Sequence, residues 1–344
     1  MEKIRFGKTG LMVSRIAFGG IPIQRLGIQE AADVVRGAIN LGVNFIDTAH
    51  GYTDSEEKIG LAVKQGGIPR EDLVIATKSP AMDKKAFLEH VDLSLKRLGV
   101  DYIDIYQHHG ISSQDAYDRI FAEGGAYEGM QDAISAGKVR FAAFSSHSIP
   151  LSLKIMREGK FAAVQLPFNY VDDDAANEAI PLAKELDMGF IAMKPFGGGL
   201  LGDARMSIGY LMQFDSIVPD PGIEKLSEIE EIVSIVNSGG KFTDADAKEI
   251  EGVRKELSGK WCHRCDYCLP CPQGIRISTV LVCEGIIKRM PFARAKGMAG
   301  PNIETARTCT GCRLCVSKCP YDIDIPKLMA EKIAIWDKHA VENS

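Results

Sequence analysis

No cysteine occurs in the first 261 residues of this 344-residue chain. That stretch can hold neither a thiolate metal site nor a disulfide, so a small scaffold stapled along its length is excluded. Long hydrophobic runs are also missing. No apolar stretch approaches the ~20 residues that span a bilayer, and no membrane partner is expected. The start, MEKIRFGKTG, lacks the apolar h-region of a secretory signal, and the expected location is the cytoplasm. Neither sign of charge dominates: 41 Lys+Arg face 46 Asp+Glu, a net charge of −5, and nothing argues for nucleic acid. Finally, no G-x-G-x-x-G follows the first strand candidate, so the usual dinucleotide fingerprint is absent.

What is present is concentrated near the end. Eight of the nine cysteines fall in two tight runs. One is Cys262, Cys265, Cys268, Cys271, followed by Pro272; the other is Cys309, Cys312, Cys315, Cys319, followed by Pro320. The second run reads C-x2-C-x2-C-x3-C-P, a spacing that holds cubane iron–sulfur clusters. Two-residue gaps let three thiolates of one loop reach three irons of one cube, and the fourth thiolate must come from elsewhere. Zinc usually takes its cysteines as two separated C-x2-C pairs, and two four-member runs fit it poorly. Two 4Fe–4S clusters are therefore expected, carrying single electrons. Cys283 lies apart, in the apolar stretch STVLVCEGII, and reads as a buried core thiol.

From Gly259 onward, 13 Lys+Arg outnumber 8 Asp+Glu. Each oxidised cubane with four thiolates carries roughly two negative charges, so the basic excess offsets most of the cluster charge. Lys288, Arg289, Arg294 and Lys296 read either as a docking patch for an acidic electron carrier or as a solvated face near the clusters.

The first 240 residues alternate short apolar runs with amphipathic ones. Strand candidates are 16–20, 43–47, 73–77, 102–107, 139–144, 162–165, 189–193 and 216–218. Helix candidates between them include 30–41, 84–98 and 175–186. Eight such units over about 240 residues have the rhythm of a (β/α)8 TIM barrel. Residues 1–240 are assigned to the barrel, 241–260 to a charged helical linker, 261–330 to a small, mostly helical iron–sulfur domain, and 331–344 to a tail. Within the small domain, 277–290 reads as one helix.

Barrel chemistry sits just past the C-terminal ends of strands. Those positions give Asp47, Tyr52 in the loop that follows, Lys78 and His109. A tyrosine can protonate a carbonyl oxygen, but its ordinary pKa near ~10 is high for this at neutral pH. A nearby ammonium favours the phenolate and lowers it. An aspartate can hold the lysine, and a histidine can orient the carbonyl.

The segments NFIDTAHGYTDSEEKIG, LVIATK, LGVDYIDIYQHHG and GKVRFAAFSSH resemble the aldo/keto reductase superfamily. The match covers about residues 1–237, including RFGKTGLMVSRIAFGG at the start, and the whole chain is similar to the branch with a C-terminal ferredoxin-type domain. The resemblance places the family's catalytic tetrad on Asp47, Tyr52, Lys78 and His109, with His109 rather than His108 in register. It implies nicotinamide nucleotide, NAD(H) or NADP(H), bound on the barrel. The carboxamide contacts fall on Ser145, Ser146 and Gln165, and the pyrophosphate loop on Lys194, Phe196, Gly197, Gly198 and Gly199. Met193 stands where relatives stack an aromatic ring. Asp220 and Ser227 stand where relatives grip an adenosine 2′-phosphate, so NADH is expected to bind no more weakly than NADPH. In two-cluster ferredoxins the fourth cysteine of each run serves the other cluster. Carried over, Cys319 joins Cys262, Cys265 and Cys268, while Cys271 joins Cys309, Cys312 and Cys315.

Hydride transfer moves two electrons and a cubane takes one, so coupling them calls for a flavin or another intermediate; a flavin remains open. Three readings follow from the residues. The first is a carbonyl reductase or alcohol dehydrogenase for a small-molecule substrate, with clusters relaying electrons to or from a ferredoxin-like carrier. The second is a one-electron reductase fed directly by the clusters. The third treats the clusters as a structural or redox-sensing docking module.

Overall fold

A computed structural model describes residues 1–343. The chain resolves into two compact units. One comprises 1–196 and 202–242; the other comprises 197–201 and the residues from 243 onward.

The first unit begins with a hairpin, β1 (Lys3–Arg5) and β2 (Met12–Ser14). Then come β3 (Ala17–Gly19), α1 (Ile28–Asn40), β4 (Phe45–Asp47), α2 (Ser55–Gly66), β5 (Val74–Ser79) and α3 (Lys84–Leu98). These are followed by β6 (Ile103–His108), α4 (Gln114–Phe121), α5 (Ala126–Ser135), β7 (Val139–Ser145), α6 (Ile149–Arg157) and β8 (Ala163–Pro167). The unit ends with α7 (Ala179–Glu185), β9 (Gly189–Met193), α8 (Ala204–Leu211), β10 (Ile217–Asp220) and α9 (Leu226–Asn237). Strands β3 to β10 form one parallel sheet in sequence order. The seam closes through backbone bonds from Gly19 N–H to Pro221 O (2.8 Å) and from Ile223 N–H to Gly19 O (3.1 Å). The expected eight-stranded α/β barrel is therefore present, with strand ends shifted by one or two residues.

Strands covered on both faces need continuous apolar runs. Val74–Ser79 and Ile103–His108 are buried throughout. Inside the barrel, Phe45, Val74, Ala76, Ile105, Ala143, Ala163, Ile191 and Val218 pack together. Phe6, just after β1, joins them and fills the space over Gly189, where a Cβ would lie 2.3 Å from its ring. The hairpin thus plugs the N-terminal end of the barrel and leaves chemistry to the other end. Outside, Val35, Phe87, Met130, Ile155 and Ile208 seal helices onto strands. Helix ends follow local signals: Asp83 caps α3 by accepting from Ala86 N–H at 2.9 Å, and Gly99 ends it in the left-handed region.

Asp104, fully buried near the start of β6, accepts from Arg70 at 2.6 Å, Arg140 at 2.7 Å and Ile75 N–H at 3.0 Å. This lies at the stability end of the barrel. Asp104→Ala would leave Arg70 and the half-exposed Arg140 without their shared carboxylate. We expect a loss of about 3 kcal/mol in chemical denaturation, with no change in the first-order chemistry at the far end.

The second unit contains α10 (Asp244–Leu257), α11 (Ile277–Leu281), α12 (Cys283–Arg289), α13 (Phe292–Ala306) and α14 (Ile325–Glu342). Helix α10 opens with a capping box between Thr243 and Asp246, as its charged, weakly apolar sequence requires. The single helix expected over 277–290 is two helices, broken at Val282, where ψ of 11° opens the turn between them. The break lets Ile277, Val280, Cys283 and Ile286 all reach one core with Ala299, Ile303, Met329 and Trp336. Among the described residues, no helix is long and apolar enough to cross a membrane.

Candidate functional site

Asp47 is the last residue of β4, Lys78 the fifth of β5's six, and His109 the first after β6. Parallel pairing in register brings these ends to one rim of the barrel. Asp47 and Lys78 are each only 2% exposed. The Lys78 ammonium donates to Asp47 Oδ2 and to Thr48 O (2.7 Å), while Gln107 Nε2 donates to Asp47 Oδ1 at 3.2 Å. Burial disfavours the ammonium, but the Asp47 carboxylate, by its charge and its hydrogen bond, leads the groups that outweigh it and keep its pKa above the ordinary lysine value.

Tyr52 sits in the turn between β4 and α2, fixed by backbone bonds from its own N–H to Ala49 O and from Ser55 N–H to its carbonyl, both 2.9 Å. Its ring centroid lies 5.4 Å from Lys78 Nζ and 5.9 Å from the His109 ring, which meets it edge-on. His109 is tied by its N–H to Ser79 O at 2.9 Å. Burial, with the charges of Lys78 and Lys194, pushes its pKa down to about 3. It is a neutral imidazole at working pH, able to donate one ring N–H to a carbonyl without competing as a base. The structure thus brings Asp47, Tyr52, Lys78 and His109 together. His108 points the other way, into a cage of Phe87, Tyr127 and Phe161.

Of the residues tied to nicotinamide by resemblance, Ser145 ends β7, Ser146 follows it, Gln165 lies in β8 and Met193 ends β9. Ser145 Oγ accepts from Gly110 N–H at 3.0 Å, leaving its hydroxyl proton to donate. Gln165 Oε1 is buried without a hydrogen-bond partner. An unmet acceptor beside a hydroxyl donor suits a primary carboxamide, so this part of the barrel fits the group. Lys194 holds a left-handed backbone (φ 62°) and places Nζ 3.0 Å from His147 Nε2. Phe196 is half-buried. Gly197 and Gly198 belong to the second unit; there a Cβ on Gly197 would meet the Trp261 ring at 2.4 Å, and one on Gly198 the Arg289 guanidinium at 3.4 Å.

One expectation fails. Asp220 does not face outward where a 2′-phosphate would meet it. It is the last residue of β10, 8% exposed, and its Oδ2 accepts from Gln165 Nε2 at 3.0 Å inside the barrel. Buried there, it does not meet an adenosine phosphate at the surface. Ser227 is exposed in the first turn of α9. Sequence reasoning also missed Gln107 and His147; the strand-end rule that found Lys78 could have flagged both.

In the second unit the two cysteine runs share a backbone pattern: the first three cysteines recur 47 residues on and the fourth, after one extra residue, 48 residues on. Residues on both sides of the second cysteine are left-handed: Arg264 and Asp266 in one run, Gly311 and Arg313 in the other. So is the third residue after each fourth cysteine, Gly274 and Asp322. Such turns aim backbone N–H groups at a concave, anion-binding space. Four of these six positions carry non-glycine side chains, Arg264, Asp266, Arg313 and Asp322, at a cost of about 1 kcal/mol or more apiece.

One cavity is lined by Cys271, Cys309, Cys312 and Cys315 against Ile275 and Met329. Cys319 neighbours Cys265, and Cys262 and Cys265 neighbour Cys268. Four thiols about an apolar-walled space suit a cubane, which supplies electron storage and needs no base nearby. Gly311 has open space around it, so Gly311→Val tests conformation alone. We expect it to cost about 1–2 kcal/mol in forming the loop and to lower iron retention in chelator challenge, whereas Arg264→Gly should not.

Residues 15–240, more than half of the chain, match the model of the aldo/keto reductase family, and residues 261–324 match that of a 4Fe-4S dicluster domain. The chain is similar to "Probable aldo-keto reductase 1" of Glycine max, 29% identical over 223 residues, covering 59% of this chain and 61% of that protein. It is also similar to "NADH-specific methylglyoxal reductase" of Escherichia coli (strain K12), 30% identical over 230 residues, covering 58% of this chain and 69% of that protein. The match thus spans less than two thirds of the soybean protein's length. Among solved structures, an aldo-keto reductase from Bacillus halodurans in its holo form superposes with a TM-score of 0.63 at 21% identity, covering 74% of this chain and 96% of that one. That likeness speaks for the fold.

Proposed function

Because the chain belongs to the aldo/keto reductase family and carries a 4Fe-4S dicluster domain, we propose that it is an iron–sulfur oxidoreductase that reduces a carbonyl, or oxidises an alcohol, at the rim of the barrel. The observation that carries this reading is the convergence of the Asp47–Lys78 pair, Tyr52 and His109. His109, neutral, donates to the carbonyl oxygen and orients it. Tyr52 gives that oxygen its proton. Lys78 stabilises the phenolate left behind, and Asp47 holds Lys78 in place. Nicotinamide, when bound, would supply the hydride. Ser145, Ser146 and Gln165 would hold its carboxamide, Met193 would pack on its ring, and Lys194 and Phe196 would serve its phosphates.

Cys262, Cys265, Cys268 and Cys319 are assigned to one cluster, and Cys309, Cys312, Cys315 and Cys271 to the other. The clusters are assigned the relay of electrons to or from a small carrier protein, with a flavin as a candidate coupling group.

The test is anaerobic purification with iron, sulfide, flavin and nucleotide analysis, then NADH and NADPH titration with methylglyoxal as probe carbonyl. We expect about eight irons and eight labile sulfides per chain, set by two full runs of four cysteines. Saturable nucleotide binding with Tyr52-dependent loss of the carbonyl supports the reading. If neither nucleotide binds, hydride transfer is discarded; two zincs with little iron would discard the clusters.

A further inference from the structure

Asp220 has no salt bridge of its own among the described residues, yet it is buried at the heart of the site. Its Oδ2 accepts from Gln165 Nε2 at 3.0 Å, and the same Nε2 lies 3.4 Å from Asp47 Oδ2. One amide therefore bridges two carboxyl groups. The other oxygen, Oδ1, is buried without a hydrogen-bond partner. It looks onto the bare Cα of Gly19, where a Cβ would lie 2.9 Å away. A side chain at Gly19 would therefore displace the carboxyl, and the absence of one makes room for it.

Charge then has to balance in a place with little water. Asp47 at the end of β4, Asp220 at the end of β10 and Tyr52 in the β4–α2 turn can each become anionic. Lys78 from β5 is the cation in contact with Asp47; Lys194, after β9, lies further round the rim with Nζ 3.0 Å from His147 Nε2, and His109, after β6, is neutral. With both aspartates ionised and Tyr52 neutral, the cluster would carry a buried excess negative charge, which is costly. Gln165 donates to both carboxyls and passes no proton between them; Asp220 also meets the Asp47 carboxyl directly, and two carboxyls in contact hold one proton between them. Burial, and then the Asp47 charge, hold the Asp220 proton on well above the ordinary carboxylate range.

We propose that Asp220 is the proton-holding residue of this site: it shares one proton with Asp47 over their direct contact and returns that proton to Tyr52 after the phenol has given up its own. The return step breaks one carboxyl O–H bond and forms one phenol O–H bond. Asp47 and Lys78 pass the proton and end as they began, and no electron moves. Water then refills the carboxyl. The return step rests on the role given to Tyr52 above; the shared proton does not.

Infrared spectra of the anaerobic holoprotein at pH 7, in H2O and D2O, read the proton directly. We expect a protonated-carboxyl C=O band that shifts in D2O and is lost in Asp220→Asn. It should also be lost in Asp47→Asn, where the remaining carboxyl faces Lys78 alone and ionises. No band in the wild type, or a band that survives Asp220→Asn, overturns the assignment. A band that survives Asp47→Asn overturns the sharing, and this arm decides the case should Asp220→Asn not fold.

A second readout is stability against pH. A carboxyl whose pKa is raised on folding contributes stability below its unfolded value, and that contribution is lost as pH rises through the folded value. The Tm of Asp220→Asn relative to wild type should therefore rise from pH 5 to pH 8; a flat difference counts against the proposal.

With methylglyoxal and NADH, Asp220→Asn should lower kcat about tenfold with KM unchanged, the mark of a lost proton-transfer step. Unchanged kcat overturns the return step. If the wild type consumes no methylglyoxal, the carbonyl reading is in question while the infrared band still decides the proton.

Discussion

Tyr52→Phe is expected to lower turnover by about 10²–10⁴, because it removes one hydroxyl proton while keeping the ring. The ring packs edge-on against His109 and lies over the Lys78 ammonium, and both contacts survive the change. Binding should therefore persist, and the loss should fall on kcat rather than KM. Steady-state kinetics with methylglyoxal, beside nucleotide titration, separates the two. Wild-type turnover in Tyr52→Phe would leave the barrel tetrad without a proton-transfer role and would favour electron delivery from the clusters alone. Lys78→Met should act in the same direction but is the poorer probe. It strips Asp47 of its buried partner, so lost stability would mingle with lost chemistry.

The second large effect concerns iron. Cys271→Ser and Cys319→Ser are each expected to reduce iron from about eight per chain to about four or fewer, since serine is a poor fourth ligand for a cubane. Cys283→Ser should leave iron unchanged. Cys283 is fully buried in the helical core, and its thiol points at Lys332 O, 3.4 Å away. The pairing of ligands across the runs has its own test. Cys271 and Cys309 line the same cavity. If they serve one cluster, the double Cys271→Ser/Cys309→Ser chain loses no more iron than either single. If each run closed on itself, the double variant would lose all of it. Iron and labile-sulfide assays after anaerobic purification, with electron paramagnetic resonance of the reduced protein, read both results.

The sequence made the barrel legible because parallel strands covered on both faces leave unbroken apolar runs, and because the residues past their ends are polar where a core would not be. Asp47, Lys78 and His109 could be found on that basis. Asp220 could not, and the reason is Pro219. A proline donates no backbone hydrogen bond, so the last strand was expected to stop at Val218. In the structure Pro219 and Asp220 continue β10 beside Ala192 and Met193, at the seam where the barrel closes. Two residues of strand separated a surface reading of Asp220 from an interior one. The break at Val282 was hidden for a related reason: apolar spacing continues across it, and only the backbone turn reveals it.

The crossed ligand sets proposed above would have a consequence for how the small domain comes into being. Cys268 and Cys319 are 51 residues apart, and the stretch from Cys271 to Cys309 lies inside that span. One ring of chain is therefore nested within the other. Once the inner ring is closed, the outer needs only the 3 residues from Cys268 to Cys271 and the 4 from Cys315 to Cys319 to come together. Shortening a loop from about 51 to about 7 residues lowers its closure entropy by about 2 kcal/mol. The relation is reciprocal, so closing the outer ring first eases the inner by the same amount. With all eight ligands present, assembly should be cooperative by about that much, with chains bearing a single cluster scarcer than two independent sites would give.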